Sequence, residues 1–147
     1  MIQLNGYCLD LGPAAPVPLL WWQSAAELAE AIVRTNVLWM RSRGEPVIEL
    51  EALGVRYEPS DAKLYAPKGA ARGRRLWPVR YAPAVLDEGC GNCFDLACYE
   101  AARLRLLAKA ARVIVQFSTD DAESGHAVVR LASGKIVDPS LTLEHAP

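Results

Sequence analysis

Apolar and polar positions alternate at the start of the chain, in Ile2-Gln3-Leu4 and Tyr7-Cys8-Leu9, on either side of Asn5-Gly6. Period-two patterning around Asn-Gly predicts a β-hairpin. Gly12 to Pro18 follows as an extended, proline-rich connection. The period then lengthens. Ser24 and Glu27 have the spacing of a capping box, and a helix is predicted from Ala25 to Arg43, with Leu28, Ile32, Thr35 and Trp39 on one face. Gly44 ends it and Pro46 prevents its continuation. Residues 45–88 carry no clear period. Val55-Arg56-Tyr57 reads as a short strand, and Pro78 and Pro83 as keeping the approach to the next element extended.

The next element is the clearest. Turn residues run to Asn92, and from Cys93 onward the spacing of Leu96, Ala97, Leu104, Leu107 and Ala108 is helical. Asn92 is a good N-cap and Asp95 falls near N3, where a carboxylate suits the positive end of a helix. The β-branched run Arg112–Phe117 predicts a strand, and Ser118–Gly125 a polar loop. His126–Leu131 and Lys135–Asp138 predict two further strands, the last closed by Pro139. The expected class is α+β, with an antiparallel sheet packed on the cysteine helix. One domain is expected over residues 1–147: hairpin and linker to 20, helix and loops over 21–88, and the functional core over 89–147.

Composition sharpens this little. The chain has 147 residues, 52% of them hydrophobic, enough for one core. A formal net charge of −1 gives no general reason to expect nucleic acid. No run approaches the roughly 20 apolar residues of a membrane span, and the first residues lack a signal-peptide pattern. The reading is a soluble cytoplasmic protein with no membrane or nucleic-acid partner. The basic segment Lys68–Arg75 has two readings, a solvated loop or a contact for an acidic protein partner or phosphate. Cys8 and Cys98 read as small buried apolar side chains.

Candidate chemistry centres on Cys93. A thiol at N1 feels the helix dipole and free backbone N–H groups, which favour the reactive thiolate. Such a nucleophile needs a base, and the base an orienting group. Of two histidines, His145 is two positions from the last residue given, whereas His126 opens a strand after a polar loop. A three-residue loop, Ala132-Ser133-Gly134, would pair Leu131 with Lys135 and Val128 with Asp138. His126 and Asp138 then become diagonal neighbours on one face. A two-residue loop would put them on opposite faces.

Three motifs resemble those of the transglutaminase-like superfamily, a branch of the papain-like cysteine enzymes: Gly91-Asn92-Cys93-Phe94-Asp95-Leu96-Ala97, His126-Ala127-Val128-Val129 and Val137-Asp138-Pro139-Ser140. Upstream, Arg34–Trp39 and Gly54–Tyr57 are similar to small members encoded with phage structural genes, which implies that the protein could enter a phage particle. The resemblance implies a papain/transglutaminase-like core with Cys93 as nucleophile, His126 as general base and acid, and Asp138 as orienting carboxylate. Phe94 stands where a polar residue is expected, and Cys90 is an additional thiol. The implied reaction is acyl transfer through a thioester, on a peptide or protein amide. Water as acceptor gives a peptidase or amidase, the favoured outcome, and an amine gives a crosslinking transglutaminase. The Cys93 N–H supplies one oxyanion donor. Trp77 and Gln116 are candidates for a second, although core packing is the blander reading of both. No cofactor is called for.

Three rivals stand beside this. Cys90-Gly91-Asn92-Cys93 has the spacing of zinc ligands, which His126 with Cys98 or Cys8 would have to complete. The same pair could be a redox dithiol. The fold could also serve a non-enzymatic structural or interaction protein.

Overall fold

The computed structural model describes residues 2–4, 7–10, 25–59, 77–117 and 125–144; for 2–4, 7–10, 25, 77–78, 117 and 125 it describes the backbone alone. The architecture is α+β. The elements run β1 (Ile2–Leu4), β2 (Tyr7–Asp10), α1 (Ala25–Arg43), β3 (Arg56–Tyr57), β4 (Trp77–Arg80), α2 (Ala82–Glu88), β5 (Cys90–Gly91), α3 (Cys93–Leu106), β6 (Ala111–Phe117), β7 (Gly125–Leu131), β8 (Ile136–Val137) and α4 (Pro139–Glu144). The described residues form three small sheets, ordered β1-β2-β4, β3-β5 and β6-β7-β8. No described helix is long and apolar enough to cross a membrane.

Helix α3 is the centre of the molecule. Phe94, Leu96, Ala97, Cys98, Tyr99, Ala101, Ala102 and Leu104 are all buried. A helix whose first ten residues are all buried must be covered on nearly every side. Helix α1, strands β6 and β7, and helices α2 and α4 all pack on it. Ala111, Val113, Ala127 and Val129 give the sheet its inner face. Arg105 ties three elements together: its guanidinium pairs with Glu30 of α1 at 2.7 Å and donates to Ala111 O at 2.8 Å.

The meander β6-β7-β8 and the span of α1 agree with the sequence reading, and Leu4 pairs with Tyr7 across the expected hairpin. Several expectations need correction. The buried stripe of α1 is Leu28, Ala29, Ile32, Val33, Asn36 and Met40. Thr35 is exposed and bonds back to Ala31 O, and Trp39 is half-buried with Arg43 against its ring. Asn36 holds a core position because its Oδ1 accepts the Ala82 N–H at 2.7 Å. That bond caps α2, whose own N-cap residue, Tyr81, makes no side-chain cap. Pro83 lies in the first turn of α2, where the missing N–H has no intrahelical partner to lose. Cys90 and Gly91 are a strand, not a turn. Helix α3 stops at Leu106, because Ala108 adopts φ 59° and the Lys109 N–H turns back to Leu104 O. Leu107 is therefore exposed. Ser24, the Gly12–Pro18 connection, Asn5-Gly6, Lys68–Arg75, the loop after Phe117 and His145 lie outside the described residues.

Candidate active site

The start of α3 is built as its sequence dictates. Asn92 Oδ1 accepts the Asp95 N–H at 3.0 Å, and Asp95 Oδ2 accepts the Asn92 N–H at 3.1 Å. This reciprocal box fixes Cys93 at N1. Asp95 also has a long-range task that no local pattern announces. Its carboxylate accepts the Arg80 backbone N–H at 2.6 Å and pairs with the Arg80 guanidinium at 3.2 Å. Arg80 in turn reaches Glu88 at 2.8 Å. Complete burial raises the Asp95 carboxyl to about 7, against the pull of these donors. Gly91 is required beside it, since a Cβ there would lie 3.1 Å from Asp95 Cβ and 3.2 Å from Leu96 Cδ2.

The second half of the site is the β7-β8 hairpin. Val129 pairs with Val137 and Arg130 with Ile136, which is the register of the three-residue loop. Leu131 N–H bonds Lys135 O at 2.9 Å, and Gly134 takes φ +86°, the left-handed position such a loop needs. The register puts His126 and Asp138 on one face, and His126 Nε2 lies 2.6 Å from Asp138 Oδ2.

Asp138 is held from its other oxygen. Oδ1 accepts the Ser140 hydroxyl at 2.6 Å and the Leu141 N–H at 3.2 Å, the latter being the N-cap bond of α4. Pro139 therefore opens a helix as well as closing a strand. Burial works to raise the Asp138 carboxyl, but hydrogen bonds from Ser140, His126 and Leu141 together hold it below its ordinary value. Asp-Pro-Ser is a readable helix start, and that signal would have found α4.

Cys93 meets this pair at a sheet edge. Leu131 N–H points toward β8, so the ladder's period of two points the Ala127 N–H the same way. Strand β8 ends at Val137, leaving that N–H past the end of its partner strand. The Cys93 sulfur takes the place of the next carbonyl and accepts from Ala127, the chain neighbour of His126. The Phe94 N–H also donates to it. The expectation of a favoured thiolate is overturned, however. Burial is the largest influence and raises the thiol above its ordinary value, with Asp95 and Asp138 adding to it. Cys93 is only 6% exposed, so the helix N-terminus acts on a sulfur that little water reaches.

The oxyanion candidates separate. Gln116 pairs directly with His126 but is exposed rather than in the core, and lies on the β6 side of β7, away from the sulfur. Trp77 is on β4, with its side chain outside the described residues. Cys90 is turned toward Glu58, and burial followed by that carboxylate raises its thiol to about 11. Cys90, Cys93 and Cys98 are all free thiols. Cys98 is buried against Ala29 O, as a small apolar residue would be. Among the described residues, no three His, Cys, Asp or Glu side chains form a metal-binding group.

Sequence reasoning missed Tyr57, which β3 delivers to this site through its register with β5. Comparison with protein families, curated proteins and solved structures returns no match.

Proposed function

We propose that the chain is a thiol-dependent acyl-transfer enzyme with a papain/transglutaminase-like core, acting as a peptidase or amidase. The observation that supports it most is the 2.6 Å bond between Asp138 and His126 on the strand whose edge seats the Cys93 sulfur. Asp138 takes Nε2, so an imidazole oriented in this way meets the thiol through Nδ1. At rest the buried thiol keeps its proton. As Cys93 attacks an amide carbonyl, His126 takes that proton and a carbon–sulfur bond forms. The carbonyl electron pair moves to oxygen, near the Cys93 N–H. His126 then returns the proton to the leaving nitrogen as the carbon–nitrogen bond breaks, giving a thioester and a free amine. Water, deprotonated by His126, releases the acid. Asp138 remains ionised at neutral pH and steadies the imidazolium.

Burial of Cys93 favours a second reading, a non-catalytic interaction protein whose cysteine is structural. Alkylation by iodoacetamide, followed at Cys93 by peptide mass spectrometry, separates the two. Catalysis predicts labelling near neutral pH that slows at least roughly tenfold in His126→Ala, a conservative part of what a general base contributes. Equal labelling of both proteins would sink the triad.

A further inference from the structure

We infer that the Tyr57 hydroxyl is the second oxyanion donor of this site, binding the carbonyl oxygen of an acyl substrate as it attaches to Cys93; this rests on the acyl-transfer reading above. Three placements converge on it. Strand β3 lies parallel to β5 with Tyr57 beside Gly91, fixed by the bonds Arg56 N–H to Gly89 O at 3.0 Å and Glu58 N–H to Gly91 O at 2.9 Å. Alternation then sends Arg56 and Glu58 to one face and Tyr57 to the other. The Cys90–Glu58 contact marks the first face. Gly91, whose missing Cβ would touch Asp95 and Leu96, marks the second as the face turned to the first turn of α3.

Helix α4, which Asp138 caps at the end of β8, packs on β3. Tyr57 therefore stands on the β8 side of β7, where the sulfur lies, whereas Gln116 stands beyond β7. Cys93, Glu144 and Asp138 all lie near enough to act electrostatically on its phenol. Together with burial, the largest influence, they raise it, so it carries its proton and can donate.

Tyr99 spends its hydroxyl on Ile48 O at 3.1 Å, but among the described residues Tyr57 forms no such bond. Tyr57 is half-buried. Its ring packs against the core while its hydroxyl keeps a donor for an incoming oxygen. A phenol replacing water as donor to a developing alkoxide is worth most in a site of low polarity.

Two reactions of the same sulfur test this. Acylation by p-nitrophenyl acetate forms a carbon–sulfur bond, places charge on the carbonyl oxygen, then expels p-nitrophenolate. Alkylation by iodoacetamide expels iodide and forms no oxyanion. In Tyr57→Phe, acylation of Cys93 should fall roughly 10²–10³-fold, the usual loss for one oxyanion donor, with alkylation and melting temperature unchanged. Unchanged acylation overturns the assignment. An equal fall in both reactions also overturns it, since Tyr57 would then act through the sulfur or the fold. If the unaltered protein alkylates at Cys93 with His126 dependence but Tyr57→Phe acylates normally, the triad stands and only the tyrosine falls. No acylation of Cys93 in the unaltered protein sinks the acyl-transfer reading and this inference together.

Discussion

Asp95 and Asp138 are both aspartates at a helix start, and the chain uses them in opposite ways. Asp95 is wholly enclosed and spends both oxygens on structure: the α3 capping box, the Arg80 backbone and the Arg80 guanidinium. Asp138 divides its oxygens. One caps α4 and the other holds His126. Burial raises the first carboxyl to about 7. Hydrogen bonds overcome burial at the second and lower it. What separates them is access to water. At the part-buried Asp138 desolvation is still the largest single influence, but its hydrogen-bond donors together outweigh it and keep the carboxylate charged and able to steady an imidazolium.

The largest effect expected from breaking this contrast is on stability. Asp95→Ala takes their acceptor from two buried backbone N–H groups and one of its carboxylate partners from the Arg80 guanidinium, and should cost about 3–5 kcal/mol in urea unfolding, as for a broken buried pair. Asp138→Ala should cost only about 1 kcal/mol, the worth of an N-cap. It should nevertheless slow Cys93 acylation roughly 10²-fold by releasing the imidazole. Asp138→Asn sharpens the point. The amide caps a helix as well as a carboxylate does, so stability should return fully while the rate returns only in part.

The titrations should run in opposite directions. For Asp95, the folded carboxyl at about 7 against 3.8 holds its proton more tightly than the unfolded chain. Its contribution is fully present below about 3.8 and is lost as pH rises through about 7. For Asp138 the contribution is present above the ordinary value and is lost as pH falls through the lowered one. Carbon-13 shifts of the two side-chain carboxyls against pH check this, and a shared midpoint would erase the contrast. The smallest effect is expected at Glu30, lowered to about 2 chiefly by its hydrogen bond with Arg105. Its side chain is 37% exposed, so Glu30→Gln should cost less than about 1 kcal/mol and fade in 1 M salt.

Legibility followed the range of the interactions. The Asn92–Asp95 cap is local and was readable from a capping pattern, and counting the hairpin after His126 left two loops, of which the structure has Ala132-Ser133-Gly134. Residues 81–91 were not readable. Helix α2 begins at Ala82; its N-cap residue, Tyr81, gives it no side-chain cap, and it borrows Asn36 from 46 positions away. Strand β5 is two residues long and exists because β3 pairs with it. No window of sequence contains either partner. The same limit hid Tyr57, whose place depends on which strand lies beside Gly91.

The sequence by itself determined the N-terminal position of Cys93 on its helix and the α+β order of the elements, and narrowed the β7-β8 hairpin to two registers, because each is a consequence of neighbours a few residues apart; the structure chose the register that sets His126 beside Asp138. Only the tertiary structure decided the state of the thiol and the company it keeps. Proton affinity depends on how much water the packed chain excludes, and the Ala127 N–H, the Arg80 pair and the Tyr57 phenol all reach the site from elements remote in sequence.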